Sequence, residues 1–347
     1  MNKYQYMSLS AKALNLLNGF PLKQIYGGLG HILMFHRVTP KSDKPRLFAN
    51  SYLEVTPEFL DQTIQYFKSH GYAFISIDEV LSHISQKNNN PFVIFTFDDG
   101  FKDNLEFAYP IFKKHNIPFT IYITTDFPDY KAILWWNHLE NLVMTFDKLE
   151  IKLNNKIHSF TTASMEEKTF AFKALSRLIK QEDSTSFKDR LIQIFNPFDI
   201  DPFSGIEKLS LSWDEIHRLH KSSLVTVGAH TISHPVLNTL SEVNALEEIK
   251  NSKVKLENFL DTKISHFAYP FGGPSEIDDR EVSLCERAGF STAVTTFSAN
   301  IFKSHIYTPL ALPRIAVGMS MNKNTFDLIR YGVIPCLRNK GQRIVTV

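Results

Sequence analysis

The sequence predicts an α/β fold in which helices close or cover a parallel sheet. Strand-like and helix-like segments alternate along most of the chain, a pattern typical of parallel sheets with helical crossovers. Residues 91–97 carry β-branched and aromatic side chains without polar alternation, as expected for a strand that is buried on both faces. The chain has 347 residues, of which 43% are hydrophobic. This content suffices for one barrel-sized domain with insertions or for two domains.

The elements of the first part follow from helix caps and apolar spacing. Thr56 is an expected N-cap with Pro57 at the first helical position, and apolar residues then recur at helical spacing up to Gly71. The predicted elements up to residue 124 are strands at 30–38, 73–77, 91–97 and 119–124 and helices at 56–71, 77–85 and 104–115.

Residues 135–205 interrupt this alternation, and we expect them to form an insertion over one mouth of the sheet. Apolar and polar residues alternate on both sides of Asn154-Asn155, which predicts a hairpin. Trp135 and Trp136 are open to two interpretations, a surface that stacks on a ring-shaped ligand or helix-packing core. The predicted elements are a helix that begins at residue 135, the hairpin at 149–160, and helices at 165–180 and 186–195.

The alternation resumes after the insertion. Ser212 is an expected N-cap with Glu215 three residues later, which is the pattern of a capping box. The predicted elements are helices at 212–220, 241–260, 275–288 and 322–331, strands at 224–228, 264–269, 290–295 and 310–317, and a basic tail at 336–347.

Two adjacent carboxylates, Asp98 and Asp99, follow the clearest strand. Like charges side by side resist joint ionisation unless a positive group lies between them, so the pair indicates a cation or a function. The Asp-Gly dipeptide formed with Gly100 is equally typical of a solvated turn. The carboxylates by themselves leave both interpretations open.

Two histidines follow another buried strand. His230 and His234 are separated by three residues, a spacing that allows both imidazoles to reach one metal ion. With a carboxylate such as Asp99 they would form a site that leaves coordination positions open for water and substrate. A structural role suits a lone histidine pair as well. Both motifs, however, end core strands, where such folds place their sites.

The segments FTFDDGF and HTISHP resemble the first two motifs of the polysaccharide deacetylases, over roughly residues 32–317. The resemblance implies a distorted (β/α)7-type barrel, similar to a TIM barrel, with a helical and hairpin insertion. It implies a hydrolase that removes an acyl group, usually acetyl, from an amino sugar. The resemblance implies Asp98 as general base and Asp99, His230 and His234 as ligands of a divalent metal, usually zinc. Pro270-Phe271-Gly272 resembles the end of the third motif. Amide hydrolysis develops negative charge on the former carbonyl oxygen, and we expect the metal and the backbone N–H of Phe271 to stabilise it.

Two groups that many members of the family have are missing from their usual places. An arginine of the third motif often steadies the base, but Ala268 occupies the matching position. Arg314 near a late strand is either its replacement or a surface charge beside a proline. The last predicted strand also lacks the histidine that often serves as general acid. His36, at the end of the first strand, is our candidate ahead of His266 and His305, and a purely hydrogen-bonding histidine is the alternative.

Charge and cysteine content indicate which binding partners and which cellular compartment to expect. With 38 basic and 36 acidic residues, the chain gives no support for a nucleic-acid partner. Cys285 and Cys336 are isolated, as expected for reduced cysteines in a cytoplasmic protein. Polar residues interrupt the apolar ones at 1–20, so we expect no export signal. An amphipathic helix there would dock on its own domain or touch a membrane surface.

The sequence therefore predicts a metal-dependent N-deacetylase that acts on an N-acetylated amino sugar of a glycan or lipid-linked glycan precursor. We expect it in the cytoplasm or peripherally at the inner face of the membrane. Zn²⁺ is the expected metal, although cobalt, nickel and iron suit the same ligands. The alternatives are a deformylase of a lipid-linked amino sugar and a non-catalytic carbohydrate-binding barrel. The expected domains are an N-terminal amphipathic segment at 1–30, the barrel at 31–320 with its insertion at about 135–205, and a C-terminal helix and basic tail at 321–347.

Overall fold

The computed structural model describes residues 20–86, 90–153, 156–180 and 187–347. The amphipathic pattern at residues 1–19 and the turn at Asn154-Asn155 lie outside these ranges, as does the first residue of the helix predicted at 186–195. In the described part of the chain, no helix is both long and apolar enough to cross a membrane.

Strands and helices alternate through the described residues, as predicted. The strands are β1 (Gly30–Phe35), β2 (Arg37–Val38), β3 (Glu54–Val55), β4 (Ala73–Phe74), β5 (Phe92–Phe97), β6 (Phe119–Ile123), β7 (Lys148–Leu153), β8 (Lys156–Thr161), β9 (Val225–Ala229), β10 (His266–Ala268), β11 (Thr292–Val294) and β12 (Ile315–Ala316). The α-helices are α1 (Phe20–Tyr26), α2 (Phe48–Ser51), α3 (Pro57–Ser69), α4 (Val80–Ser85), α5 (Tyr109–His115), α6 (Trp135–Thr145), α7 (Met165–Lys180), α8 (Phe187–Phe195), α9 (Ile206–Leu209), α10 (Trp213–His220), α11 (Glu242–Leu260), α12 (Asp279–Arg287), α13 (Lys323–Arg330) and α14 (Val333–Arg338).

The main sheet is parallel throughout and has the strand order β11-β10-β9-β6-β5-β1-β12, with β4 beside the first half of β5. Its two ends approach each other through Leu312, which precedes β12. The Leu312 N–H donates to the Ala293 carbonyl of β11 at 2.9 Å, and the Thr295 N–H donates to the Leu312 carbonyl at 2.9 Å. The sheet thus curls into an incomplete barrel, and the predicted α/β barrel class is confirmed.

Alternate residues of the strands belong to two separate hydrophobic clusters. Leu33 and Phe95 contribute to the cluster that includes the outer helices, whereas Ile32 and Ile94 contribute to a second cluster with Tyr122. Both faces of β1 and β5 are therefore buried. This explains why the sequence of these strands shows no polar alternation.

Specific hydrogen bonds set the ends of several elements. Thr56 caps α3 and Ser212 caps α10 with its capping box, so both predicted helix starts are confirmed. The strand predicted at 30–38 ends at Phe35, because Asp103 accepts hydrogen bonds from the Arg37 side chain and the Val38 N–H, and β2 pairs with β3 instead. The strand predicted at 310–317 shrinks to β12, because residues 309–311 form a 3₁₀ turn.

The insertion has a hydrophobic cluster of its own. Leu139 of α6, Ile151 of β7, Leu175 of α7 and Ile194 of α8 pack together. Trp135 belongs to this cluster and is only 4% exposed. The helix-packing interpretation is therefore correct for Trp135, and its neighbour in the sequence takes a different position that is described below.

Asn300 joins three parts of the chain near the start of β1. Its side-chain amide donates to the carbonyls of Tyr26 and Ile329 at 3.0 and 3.1 Å, and its Oδ1 accepts from His31 Nδ1 at 2.9 Å. His31 Nε2 then accepts from the Tyr72 hydroxyl at 3.1 Å. This pattern of donors and acceptors requires a neutral imidazole that carries its proton on Nδ1.

Stability is expected to fall on acidification because of His31. Burial lowers the pKa of His31 from 6.5 to about 4, although the hydrogen bond that His31 donates to Asn300 acts in the opposite direction. The unfolded chain therefore binds a proton at His31 before the folded one does as the pH drops. The free energy of unfolding should decrease by up to about 3 kcal/mol between pH 6.5 and pH 4 from this group.

Urea unfolding curves measured above pH 6.5 and near pH 4 test this expectation. His31→Gln retains a side-chain donor for Asn300 but does not titrate, so the difference between the two pH values should shrink. Equal pH dependence in the two proteins would show that His31 is not responsible.

Candidate active site

The candidate site lies at the carboxyl ends of β5 and β9, on one edge of the sheet. Asp98 follows β5 directly, and its N–H donates to the Phe35 carbonyl at the end of β1 at 3.1 Å. His230 follows β9, and its N–H donates to the Ile123 carbonyl at the end of β6 at 2.9 Å. These bonds extend the parallel pairing past each strand. Both motifs consequently arrive at the same edge.

Asp99, His230 and His234 form a buried cluster whose candidate ligand atoms all lie within 4.8 Å of one another. The Nε2 atoms of His230 and His234 are 3.4 and 3.3 Å from Asp99 Oδ1. This carboxylate oxygen is buried and has no hydrogen-bond partner among the described residues. Two imidazole nitrogens and one carboxylate oxygen are a donor set that suits zinc and related divalent metals. The residues present therefore fit the metal that the sequence predicts.

The surroundings of the cluster keep its atoms available for a cation. Burial raises the pKa of Asp99, but His230 and His234 outweigh this effect and hold the pKa well below its usual value. His230 Nδ1 lies 2.7 Å from the Ala268 carbonyl and donates to it. With the proton on Nδ1, the Nε2 lone pair of His230 remains free to coordinate.

Asp98 has a different partner, the guanidinium of Arg314. Arg314 Nη1 and Nη2 donate to Asp98 Oδ1 and Oδ2 at 2.6 and 2.7 Å, and Arg314 Nε donates to the Thr295 carbonyl at 3.0 Å. The Arg314 side chain is fully buried, so the surface-charge interpretation is wrong. Burial raises the pKa of Asp98. The charge of Arg314 lowers it by a larger amount together with its other neighbours, so the pKa lies below its usual value.

A cavity of about 690 Å³ opens over the cluster, and Asp98, His36 and Phe271 also line it. Burial lowers the pKa of His36, against the opposite effects of Asp99 and Asp98, and its Nδ1 has no hydrogen-bond partner among the described residues. The Phe271 ring lies 4.8 Å from the His234 ring, measured between centroids.

The other candidate histidines lie elsewhere, whereas one tryptophan reaches the site. His266 Nε2 lies 2.8 Å from Asp78 Oδ1, and His305 Nε2 lies 3.2 Å from the Val345 carbonyl. Neither residue lines the cavity. The Trp136 ring, by contrast, lines the cavity at 5.6 Å from the His234 ring, so its position suits a surface that stacks on a ring-shaped ligand.

A family model decides the relationship of this chain to known proteins. The polysaccharide deacetylase model matches residues 85–293, which is more than half of the chain. The chain belongs to the polysaccharide deacetylase family.

The individual proteins to which the chain is similar are distant from it in sequence. A candidate polysaccharide deacetylase of Bacillus subtilis (strain 168), YxkH, is 28% identical over 94 residues, which span 26% of this chain and 30% of that protein. The fold is similar to the solved structure of Streptococcus pyogenes deacetylase PplD in complex with acetate, with a TM-score of 0.57 and 21% identity over 85% of this chain and 95% of PplD. It is also similar to IcaB from Ammonifex degensii, with a TM-score of 0.55 and 18% identity over 88% of this chain and 98% of IcaB.

Glu248 of α11 supports the candidate site, although nothing in the sequence indicated it. Its carboxylate accepts hydrogen bonds from the N–H groups of Ile232 and Ser233 at 2.8 and 3.0 Å and from the Ser233 hydroxyl at 2.7 Å. This loop joins the two histidines, and Thr231 and His234 in it have left-handed φ angles of 65° and 61°. Such angles are unfavourable for residues other than glycine. Glu248 therefore offsets the strain of the loop that carries His234.

Loss of the Glu248 carboxylate should weaken metal binding. We expect Glu248→Ala to lower the affinity for Zn²⁺ by about 10- to 100-fold, because groups that orient metal ligands typically contribute this much. Competition with a chromogenic chelator measures the affinity. Glu248→Gln is the matched control, since its amide oxygen can still accept hydrogen bonds from the backbone. Its affinity for Zn²⁺ should lie between that of the wild type and that of Glu248→Ala. An unchanged affinity in Glu248→Ala would contradict the positioning role.

Proposed function

We propose that the protein is a metal-dependent N-deacetylase that hydrolyses the N-acetyl group of an amino sugar in a glycan or lipid-linked glycan precursor. The observation that carries the proposal is the different environment of two adjacent carboxylates. Asp99 faces two imidazoles, whereas Asp98 is held by the Arg314 guanidinium. One carboxylate thus suits a metal and the other suits proton transfer, which is the division of roles that amide hydrolysis requires.

In the proposed reaction, Asp99, His230 and His234 hold the divalent metal, which we propose to be Zn²⁺. When bound, the metal supplies Lewis-acid polarisation of the acyl carbonyl and activates water for attack. Asp98 takes the proton of the attacking water, and Arg314 fixes the direction of its carboxylate. The backbone N–H of Phe271 donates to the developing oxyanion.

The leaving amine needs a proton before the sugar departs. We propose that His36 delivers it, because His36 lines the cavity and its buried Nδ1 has no partner among the described residues. The two other candidates, His266 and His305, do not line this cavity.

Acyl-release assays with the purified, metal-analysed protein test the proposal. Acetate and formate release from N-acetylated and N-formylated amino sugars are measured side by side, with Asp98→Asn as control. Acetate release that depends on bound metal and on Asp98 supports the N-deacetylase. Formate release alone would identify a deformylase, and bound metal without release of either acid would favour a carbohydrate-binding barrel.

The cellular location and the domain boundaries are also proposals. We propose a protein of the cytoplasm that contacts the inner face of the membrane through residues 1–30, with the catalytic barrel at 31–320, its insertion at about 135–205 and a C-terminal helix and basic tail at 321–347. Deletion of residues 1–20 should then reduce co-sedimentation with membranes while activity on soluble sugars persists. Unchanged co-sedimentation would contradict the membrane contact.

A further inference from the structure

A second cavity, of about 760 Å³, adjoins the cavity over the metal cluster. The two share lining residues, so they form one continuous depression. The shared residues are Phe48, Ala49, Tyr52, Phe172, Ser176, Lys180 and Glu276. We call the second cavity the basic groove, because three cations of α7 line it.

The cations of the basic groove are Lys173, Arg177 and Lys180, spaced four and three residues apart and therefore on one face of α7. Lys173 and Arg177 are exposed, and neither has an acidic partner among the described residues. Glu276 is the one acidic residue among those that line the groove, and its Oε1 is 4.0 Å from Lys180 Nζ. The groove consequently carries an excess of positive charge.

This excess distinguishes the groove from the neighbouring cavity. Arg37, which lines the cavity over the cluster, is neutralised by Asp103 at 2.8 Å. The whole chain is nearly balanced, with 38 basic and 36 acidic residues. Two cations that lack an acidic partner among the described residues line a concave surface and therefore indicate a ligand with negative charge.

The groove lies close to the proposed reaction centre. Lys180 Nζ lies 5.2 Å from the centre of the Phe271 ring, and this ring lies 4.8 Å from the His234 ring. A glycan of more than one sugar whose amide group reaches the cluster therefore has space to extend into the groove. Phe48 and Tyr52, which are 61% and 45% exposed, offer aromatic faces on which sugar rings can stack.

We propose that the basic groove binds an anionic group, a phosphate or a carboxylate, that the glycan substrate carries beside the amino sugar to be deacetylated. The inference rests on the proposed function, since it assigns an anionic glycan as the substrate class of the same site. Lys173 and Arg177 bind the anion, and Lys180 lies between it and the reaction centre. Arginine and lysine bind phosphate and carboxylate groups through charge-assisted hydrogen bonds.

Paired substrates test the inference. We would compare kcat/KM for a neutral N-acetylglucosamine oligosaccharide and for the same oligosaccharide bearing one phosphate or one carboxylate on the neighbouring residue. The wild type should have a higher kcat/KM for the phosphorylated or the carboxylated oligosaccharide than for the neutral one. In the Lys173→Ala/Arg177→Ala double variant this ratio should fall about tenfold, which is equivalent to one charge-assisted contact. Lys250→Ala/Lys263→Ala removes two exposed charges elsewhere and should keep the preference.

A binding measurement separates failure of this inference from failure of the proposed function. The phosphorylated and carboxylated oligosaccharides are titrated into the wild type and both double variants, with the heat of binding as readout. Weaker binding only in Lys173→Ala/Arg177→Ala supports the groove even if no acyl group is released. Equal binding and equal preference in all three proteins would overturn it. The same proteins are also titrated with anionic phospholipid vesicles. If Lys173→Ala/Arg177→Ala binds the vesicles more weakly than the wild type but binds the oligosaccharides equally well, the inference is overturned and the groove is a membrane contact.

Discussion

Asp98→Asn is expected to lower kcat by about 10²- to 10⁴-fold, the usual contribution of a positioned general base. The asparagine amide has nearly the same shape as the carboxylate but cannot accept a proton from water. Metal binding should persist, because Asp98 pairs with Arg314 and does not belong to the cluster of Asp99, His230 and His234. The measurements are kcat in the acetate-release assay and metal content of the purified variant.

Asp99→Asn is the matched control for this prediction, since it alters the neighbouring carboxylate. It should lose bound metal and activity together, whereas Asp98→Asn should lose activity alone. Near-normal turnover in metal-loaded Asp98→Asn would show that Asp98 is not the base. A circular dichroism spectrum like that of the wild type is required first, because the substitution also leaves Arg314 without its anion.

Arg314→Met should destabilise the protein by about 3 to 5 kcal/mol, the typical effect of breaking a buried ion pair. Both oxygens of Asp98 accept from Arg314, and the pair is buried, with 0% and 3% exposed side chains. Without the guanidinium, the Asp98 carboxylate stays buried with little positive charge nearby to offset the cost of its desolvation. The free energy of unfolding, measured with urea, reports the loss.

Two further variants separate this effect from a general loss of charge. Arg287 forms an exposed ion pair with Glu242, so Arg287→Met should cost no more than about 1 kcal/mol. The Asp98→Asn/Arg314→Met double variant removes both charges and should be more stable than Arg314→Met alone. A cost for Arg314→Met that equals the cost for Arg287→Met would contradict the structural importance of the buried pair.

The fold was predictable because its signals are local. Capping residues such as Thr56 and Ser212 act within three residues of their own position, and both start helices as expected. The apolar runs that form β1 and β5 likewise predict burial on both faces. Predictions were wrong where a distant group competes, as when Asp103 binds Arg37 and Val38 and ends β1 early.

The sequence by itself determined where the chemical groups stand along the chain. Asp98 and Asp99 follow one core strand and His230 follows another, and a parallel sheet brings the ends of such strands to one edge. Their convergence therefore required only the alternation of strands and helices. The resemblance to polysaccharide deacetylases rests on the same two segments.

Only the tertiary structure decided which partner each carboxylate has. Arg314 is 216 residues from Asp98 in sequence, and the sequence left two interpretations of it open, a partner of the base or a surface charge beside a proline. Glu248 is inconspicuous in a helix with many charges. The basic groove also forms only when α7 of the insertion packs beside the barrel. These features depend on distances between elements that are remote in sequence, which capping and periodicity do not encode, because they act over a few residues.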